Sequence, residues 1–150
     1  MNNTMKNSMK TVSVSKRIAA PAQVAWSIVR TGAEMHRWVP AITECRLEGE
    51  GVGAKRICVL AGQEIEETIA TVDDDTRVFQ YRIHRQSMMP VTGILGTIHV
   101  TELGPAEAEV LWFVNFELLD CAAWGSVKQG IEDIYTSGID GLAARVAAIS

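Results

Sequence analysis

Residues 53–72 read GAKRICVLAGQEIEETIATV, and the fold turns on how this stretch pairs with itself. Apolar and polar side chains alternate on both sides of Ala61-Gly62, the pattern of two half-buried strands joined by a two-residue turn. A two-residue turn fixes the register. Leu60 faces Gln63, Cys58 faces Ile65, Arg56 faces Glu67 and Ala54 faces Ile69. That face is apolar except for Arg56 and Glu67. The other face pairs Ile57 with Glu66, Val59 with Glu64 and Lys55 with Thr68, and tolerates water better. The core therefore lies on the Arg56/Glu67 side, with the two charges directly opposed. A buried charge without a partner is costly. The pairing reads either as an ion pair that fixes register or as a polar anchor on the wall of a pocket.

Working outward, the same strand signature recurs. Thr11–Ile18 alternates, and further candidate strands span 42–48, 77–84, 93–102 and 109–119. Gly49-Glu50-Gly51, Asp73-Asp74-Asp75 and Gly104-Pro105 supply turns between them. Connections this short make antiparallel neighbours. Pro21 suits the first turn of a helix whose apolar face holds Val24, Ala25, Ile28 and Val29 and which stops at Gly32. Ala33–Trp38 is long enough for a second short helix, ended by Pro40. From Ala123 to Ile149, Trp124, Val127, Ile131, Ile134, Tyr135, Leu142 and Val146 recur at three- and four-residue steps, which predicts a long helix. Gly125, Gly130, Gly138 and Gly141 interrupt it at ~1 kcal/mol each relative to alanine. They point either to a face that leaves room for something or to close packing on the sheet. The order predicts an α+β fold: a seven-stranded antiparallel sheet curved around a long C-terminal helix, with two short helices after the first strand.

The chain has 150 residues, 47% of them apolar and 21% charged, which fits one globular domain over 11–150. Residues 1–10 are polar and read as a disordered tail without a secretory signal, with Met9 a second candidate start, so a cytoplasmic location is expected. No run approaches the ~20 apolar residues of a membrane span. A net charge of −4 with scattered Lys and Arg argues against nucleic-acid binding. Cys45, Cys58 and Cys121 match no zinc or redox spacing, and Cys58 reads as a small buried hydrophobe. No two histidines have metal-ligand spacing, so neither metal nor cofactor is expected.

Several stretches carry a resemblance. Ile18-Ala19-Ala20-Pro21-Ala22-Gln23-Val24-Ala25-Trp26, Trp38-Val39-Pro40, Gly53 to Arg56, ETIATVD at 67–73, FQYRI at 79–83, Pro90-Val91 and Trp112 together resemble the START-like, or helix-grip, superfamily. Within it they are most similar to the SRPBCC polyketide cyclase/dehydrase and lipid-transport group. The resemblance covers roughly residues 11–148 and implies a deep apolar pocket between sheet and terminal helix. It does not select a chemistry, because one fold hosts many functions.

Strand parity proposes the pocket's walls. Cys58, Ile65 and Ile69 come from the hairpin, and Phe79, Tyr81 and Ile83 from the fifth strand. Gly96 and Ile98 come from the sixth, where Ile94 and Val100 share their face. Trp112, Val114 and Phe116 come from the seventh. Trp38, Met89, Trp124, Val127, Ile131 and Tyr135 complete the expected lining. Gly96 in a strand interior should leave a hole. Met88 and Met89 suit an adaptable lip near the 85–92 connection.

Polar candidates inside are Arg56, Glu67 and Tyr81, with His84 at a strand end near the mouth; His99 should point outward and His36 should lie at the surface. Three functions compete. A carrier would hold a lipid, polyketide or isoprenoid. A cyclase- or dehydratase-type lyase or isomerase, needing no cofactor, would use Glu67 or His84 as base and Arg56 or Tyr81 as donor. An interaction module would have a vestigial pocket. The chain is expected to be a monomer or homodimer, and no stable membrane insertion is expected.

Overall fold

The computed structural model describes residues 8–149. Its strands are β1 (Met9–Ile18), β2 (Ile42–Glu48), β3 (Lys55–Leu60), β4 (Gln63–Asp73), β5 (Val78–Arg85), β6 (Val91–Gly104) and β7 (Glu107–Leu118). Helix α1 (Ala22–Val29) and a 3-10 turn (Met35–Arg37) follow β1, and a second 3-10 turn (Cys121–Ala123) leads into α2 (Trp124–Ile149). All seven strands form one antiparallel sheet in the order β1-β7-β6-β5-β4-β3-β2. β1 and β2 are its edges, and α2 lies on the concave face.

The hairpin has the register its turn dictates: Leu60↔Gln63, Cys58↔Ile65 and Arg56↔Glu67. Ala61 and Gly62 both have positive φ, at 52° and 77°. That is the mirror-image turn that matches the right-handed strand twist. Positions 56, 58, 65, 67 and 69 are buried, whereas 64 and 68 on the opposite face are not.

Most strand ends differ from the sequence reading by one or two residues, and three differences matter for the site. Met9 and Lys10, placed in the tail, pair with Glu117 and Phe116 at the start of β1; residues 1–7 lie outside the described part. The second short helix is one 3-10 turn, because Glu34 at φ 55° is left-handed and cannot continue a right-handed helix back to Ala33. β6 starts at Val91 rather than 93, so the connection from β5 shrinks to residues 86–90. Gly93, at φ 63°, sits in the irregular register between Thr92 and Leu95 and lets the longer strand bend.

The glycines of α2 divide into two pairs. A Cβ on Gly141 would overlap the carbonyl of Trp38, and one on Gly138 would come within 2.7 Å of the Trp112 ring. Gly125 and Gly130 meet nothing within 4 Å. Close packing accounts for the first pair only. No helix among the described residues is long and apolar enough to cross a membrane.

Candidate functional site

Where the sheet curves away from α2, a cavity of about 100 Å³ remains. β3 and β4 supply Arg56, Cys58, Leu60, Ile65 and Glu67 to its wall. β5 to β7 supply Tyr81, Ile83, Val91, Ile94, Trp112, Val114 and Phe116. Ile131, Ile134 and Tyr135 of α2 form the roof, with Met35, Ile42, Gln86, Met88 and Met89 around the opening side. The lining is apolar apart from a few polar groups, the usual composition of a small-molecule site.

Arg56 is the most deeply placed of these groups, with 1% of its side chain exposed. Nε donates to the Glu67 carboxylate, and Nη1 donates to the Gly32 carbonyl at 3.1 Å. Nη2 is buried and has no hydrogen-bond partner among the described residues. Its guanidinium carbon lies 5.0 Å from the centre of the Tyr81 ring and 5.5 Å from that of Phe79. Burial is the largest influence and opposes the charge, but the facing Glu67 carboxylate, with smaller contributions from the neighbouring Cys58 and Cys45 sulfurs, holds the Arg56 pKa above its ordinary value.

The second polar group is an aromatic relay. Trp112 Nε1 donates to the Tyr81 hydroxyl at 3.0 Å, and that hydroxyl lies 3.1 Å from the hydroxyl of Tyr135. The Trp112 and Tyr135 rings stack, with centres 4.1 Å apart and planes 9° from parallel. Burial, then the nearby Glu67 charge, push the Tyr81 phenol up to about 12. Burial and Tyr81 itself hold Tyr135 well above the ordinary tyrosine value. Both phenols are protonated at neutral pH, so both can donate a hydrogen bond.

The structure gathers Arg56, Glu67 and Tyr81 with Cys58, Ile65, Ile83, Met89, Trp112, Val114, Phe116, Ile131 and Tyr135 around one space. Other expected members fall elsewhere. His84 is exposed and bonded to Thr68 Oγ1 at 2.7 Å, because it alternates with the inward Ile83. Gly96 makes no hole: the Tyr81 ring from the partner strand lies over it and takes the space a Cβ would need. Ile69 and Phe79 are instead buried in the core and lie close to where a Cβ on Gly32 would stand. Ile98, between Phe79 and Trp112 in the register, and Val127 pack the core away from the cavity. Trp38 supports from behind, its ring 5.7 Å from Trp112. Trp124 packs beside Phe116 and under Lys10.

The sequence reading missed Met35, Ile42, Leu60, Val91 and Gln86 as lining. Leu60 shares the parity of Arg56 and Cys58, so the signal for it was present. Gln86 has no such signal. Its amide nitrogen donates to the carbonyls of Met89 (2.9 Å) and Val91 (3.2 Å). Its amide oxygen accepts from the backbone N–H groups of Met88 and Met89, both at 3.0 Å. One side chain thus organises the whole 86–91 lip.

A family model described as polyketide cyclase / dehydrase and lipid transport matches residues 9–147, nearly the whole chain. The chain belongs to this family. Differently named proteins are similar to it in sequence or fold. The abscisic acid receptor PYL2 of Arabidopsis thaliana is 36% identical over 76 residues, covering 47% of this chain. The match spans only 40% of that receptor's own length. Norcoclaurine synthase from Thalictrum flavum, solved with dopamine and hydroxybenzaldehyde, superposes with a TM-score of 0.77 at 16% identity, covering 95% of this chain and 88% of the synthase. The Zhui aromatase/cyclase from Streptomyces sp. R1128 gives a TM-score of 0.77, also at 16% identity, over 93% of this chain and 94% of the cyclase. At such identities the two structures establish the shared fold alone.

Proposed function

We propose that this chain binds a small apolar molecule bearing one hydrogen-bond acceptor, a carbonyl or carboxylate, which Arg56 Nη2 takes. The observation that carries this reading is a charged, fully buried donor without a partner among the described residues, at the wall of an apolar cavity. Such a group is destabilising by ~1–3 kcal/mol or more when left unpaired, and a bound acceptor would recover that free energy. Lipid, polyketide or isoprenoid carbonyls all fit the chemistry. Size is more restrictive. A dry cavity of ~150 Å³ accepts one benzene ring. The cavity of about 100 Å³ takes a ring only if its methionines move, and a longer molecule only if the lip opens.

A cyclase or dehydratase is the second reading. It is favoured by one arrangement, the Glu67 carboxylate and two protonated phenols around the same cavity. Binding ranks first because Glu67 is already held by Arg56 and the alternative base, His84, faces solvent.

Thermal-shift and calorimetric titration with benzaldehyde and toluene, near-isosteres that differ in the acceptor, test the reading. Benzaldehyde should bind wild type about tenfold more tightly than toluene, as expected for one hydrogen bond to a charged donor. In the Arg56→Met/Glu67→Leu double variant, which removes both charges together, the preference should vanish. Equal binding of the two by wild type, or binding of neither, overturns it.

A further inference from the structure

Cys45 and Cys58 stand directly opposite each other on β2 and β3. Opposed residues of an antiparallel pair point to the same face, with Cβ atoms ~4.5–5.5 Å apart. A disulfide needs ~3.5–4.5 Å. The difference of at most ~1–2 Å must come from the strands. β2 can provide it, being an edge strand with one sheet neighbour and an irregular register between Ile42 and Glu44. The two thiols differ in access. Cys45 is partly exposed, whereas Cys58 is buried and lines the cavity.

We propose that Cys45 and Cys58 are a thiol-oxidation site: Cys45 attacks a peroxide, and Cys58 resolves the product into a disulfide that ties the edge strand to the cavity wall. In the first step the Cys45 thiolate attacks one peroxide oxygen and the O–O bond breaks. This gives Cys45 sulfenic acid and hydroxide, which takes up a proton to become water. In the second step the Cys58 sulfur attacks the sulfenic sulfur, the S–O bond breaks, and the departing hydroxyl leaves as water with the Cys58 proton. Two electrons pass from the sulfur pair to the peroxide.

The division of labour follows from the surroundings. The neighbouring Cys58 thiol lowers the Cys45 pKa most, and the Arg56 guanidinium adds to this against the effect of burial. The same neighbour, with burial, raises that of Cys58. Cys45 is therefore the sulfur a peroxide reaches first, and the direction of its shift favours the attacking thiolate. Cys121 is exposed too, but it sits on the 3-10 turn before α2 and serves as an internal control. Oxidation of the pair requires no ligand in the cavity.

The test is peptide mapping of reduced wild-type protein after stoichiometric hydrogen peroxide and alkylation with N-ethylmaleimide. A Cys45–Cys58 cross-link should form, with Cys121 remaining alkylated and the cross-linked peptide pair lighter by two hydrogen atoms than its two reduced peptides together. In Cys45→Ser, Cys58 should stay reduced, because its burial denies the oxidant access. In Cys121→Ser the cross-link should form as in wild type. Wild-type protein in which Cys45 and Cys58 are both still alkylated, or whose only cross-links involve Cys121, overturns the proposal, as does oxidation of Cys58 in Cys45→Ser at the wild-type rate.

Discussion

Arg56 has three nitrogens that bear hydrogen, and the fold supplies acceptors for two. Glu67 is what makes its burial tolerable, so Glu67→Ala should destabilise the protein by ~3–5 kcal/mol in urea unfolding, the effect of leaving a buried charge alone. Arg56→Met/Glu67→Leu, which removes both charges, should sit within ~1–2 kcal/mol of wild type by the same comparison. The phenols supply a second prediction. The chain contains two tyrosines, and both are in the cavity wall. Tyr81 titrates at about 12 when folded and Tyr135 is also raised, whereas an unfolded tyrosine ionises near ~10. The folded state holds more protons between those values, so this contribution is complete below pH ~10 and is lost as pH rises toward 12. Tyrosinate absorbance should accordingly be absent from native protein at pH 10.5 and emerge together with unfolding above it; native-state ionisation near 10 would contradict this burial. Arg56 and Glu67 were legible in the sequence because a two-residue turn leaves their register no freedom. Gln86 was not, because its partners are four backbone groups of a loop whose shape no periodicity encodes.

At the scale of the element, α2 separates what a sequence pattern can and cannot tell. Its apolar stripe is plain, and Val127, Ile131, Tyr135, Leu142 and Val146 are buried as their spacing requires. Its four glycines look alike in sequence, yet they differ because the neighbour that excludes a Cβ belongs to another element: Trp38 for Gly141, Trp112 for Gly138. Gly141→Ala should therefore destabilise strongly, by several kcal/mol, since it meets a backbone carbonyl that cannot rotate away, and overpacking alone reaches ~1–3 kcal/mol. Gly125→Ala and Gly130→Ala should instead stabilise by up to ~1 kcal/mol each, the helix-propensity difference. Denaturant midpoints of the three variants check the sign, and a stabilised Gly141→Ala would show that α2 does not approach the Trp38 backbone. The same blindness to a facing element explains Gly96. Parity placed it correctly on the concave face, but only the register with β5 puts the Tyr81 ring into the space it leaves.

For the whole molecule, the question is how a curved sheet gripping one helix sets the size of what it holds. Most of the concave face is filled by large side chains: Trp112, Phe79 and Phe116 are all buried, and Trp112 is stacked from above by Tyr135. What remains is about 100 Å³, on the side where β3–β6, the 86–90 connection and the middle of α2 meet. The rigid aromatic back wall cannot yield without loss of packing. The lip can, because Met88 and Met89 are unbranched and their loop is held chiefly by Gln86. Capacity should thus be limited at the lip and not at the wall. Met88→Ala/Met89→Ala should raise the affinity for a larger probe, the dye 1-anilinonaphthalene-8-sulfonate, by about tenfold (~1.4 kcal/mol), while losing ~2 kcal/mol of stability from the partly buried Met89. Phe116→Ala opens comparable volume at the wall, but it should lose ~3–5 kcal/mol of stability and still gain less affinity, since the probe must pass an unchanged lip. Fluorescence titration and urea unfolding of both variants decide the matter. Equal gains in dye affinity would mean that volume alone limits the site, and a gain confined to Phe116→Ala would move the constraint from the methionines to the aromatic wall.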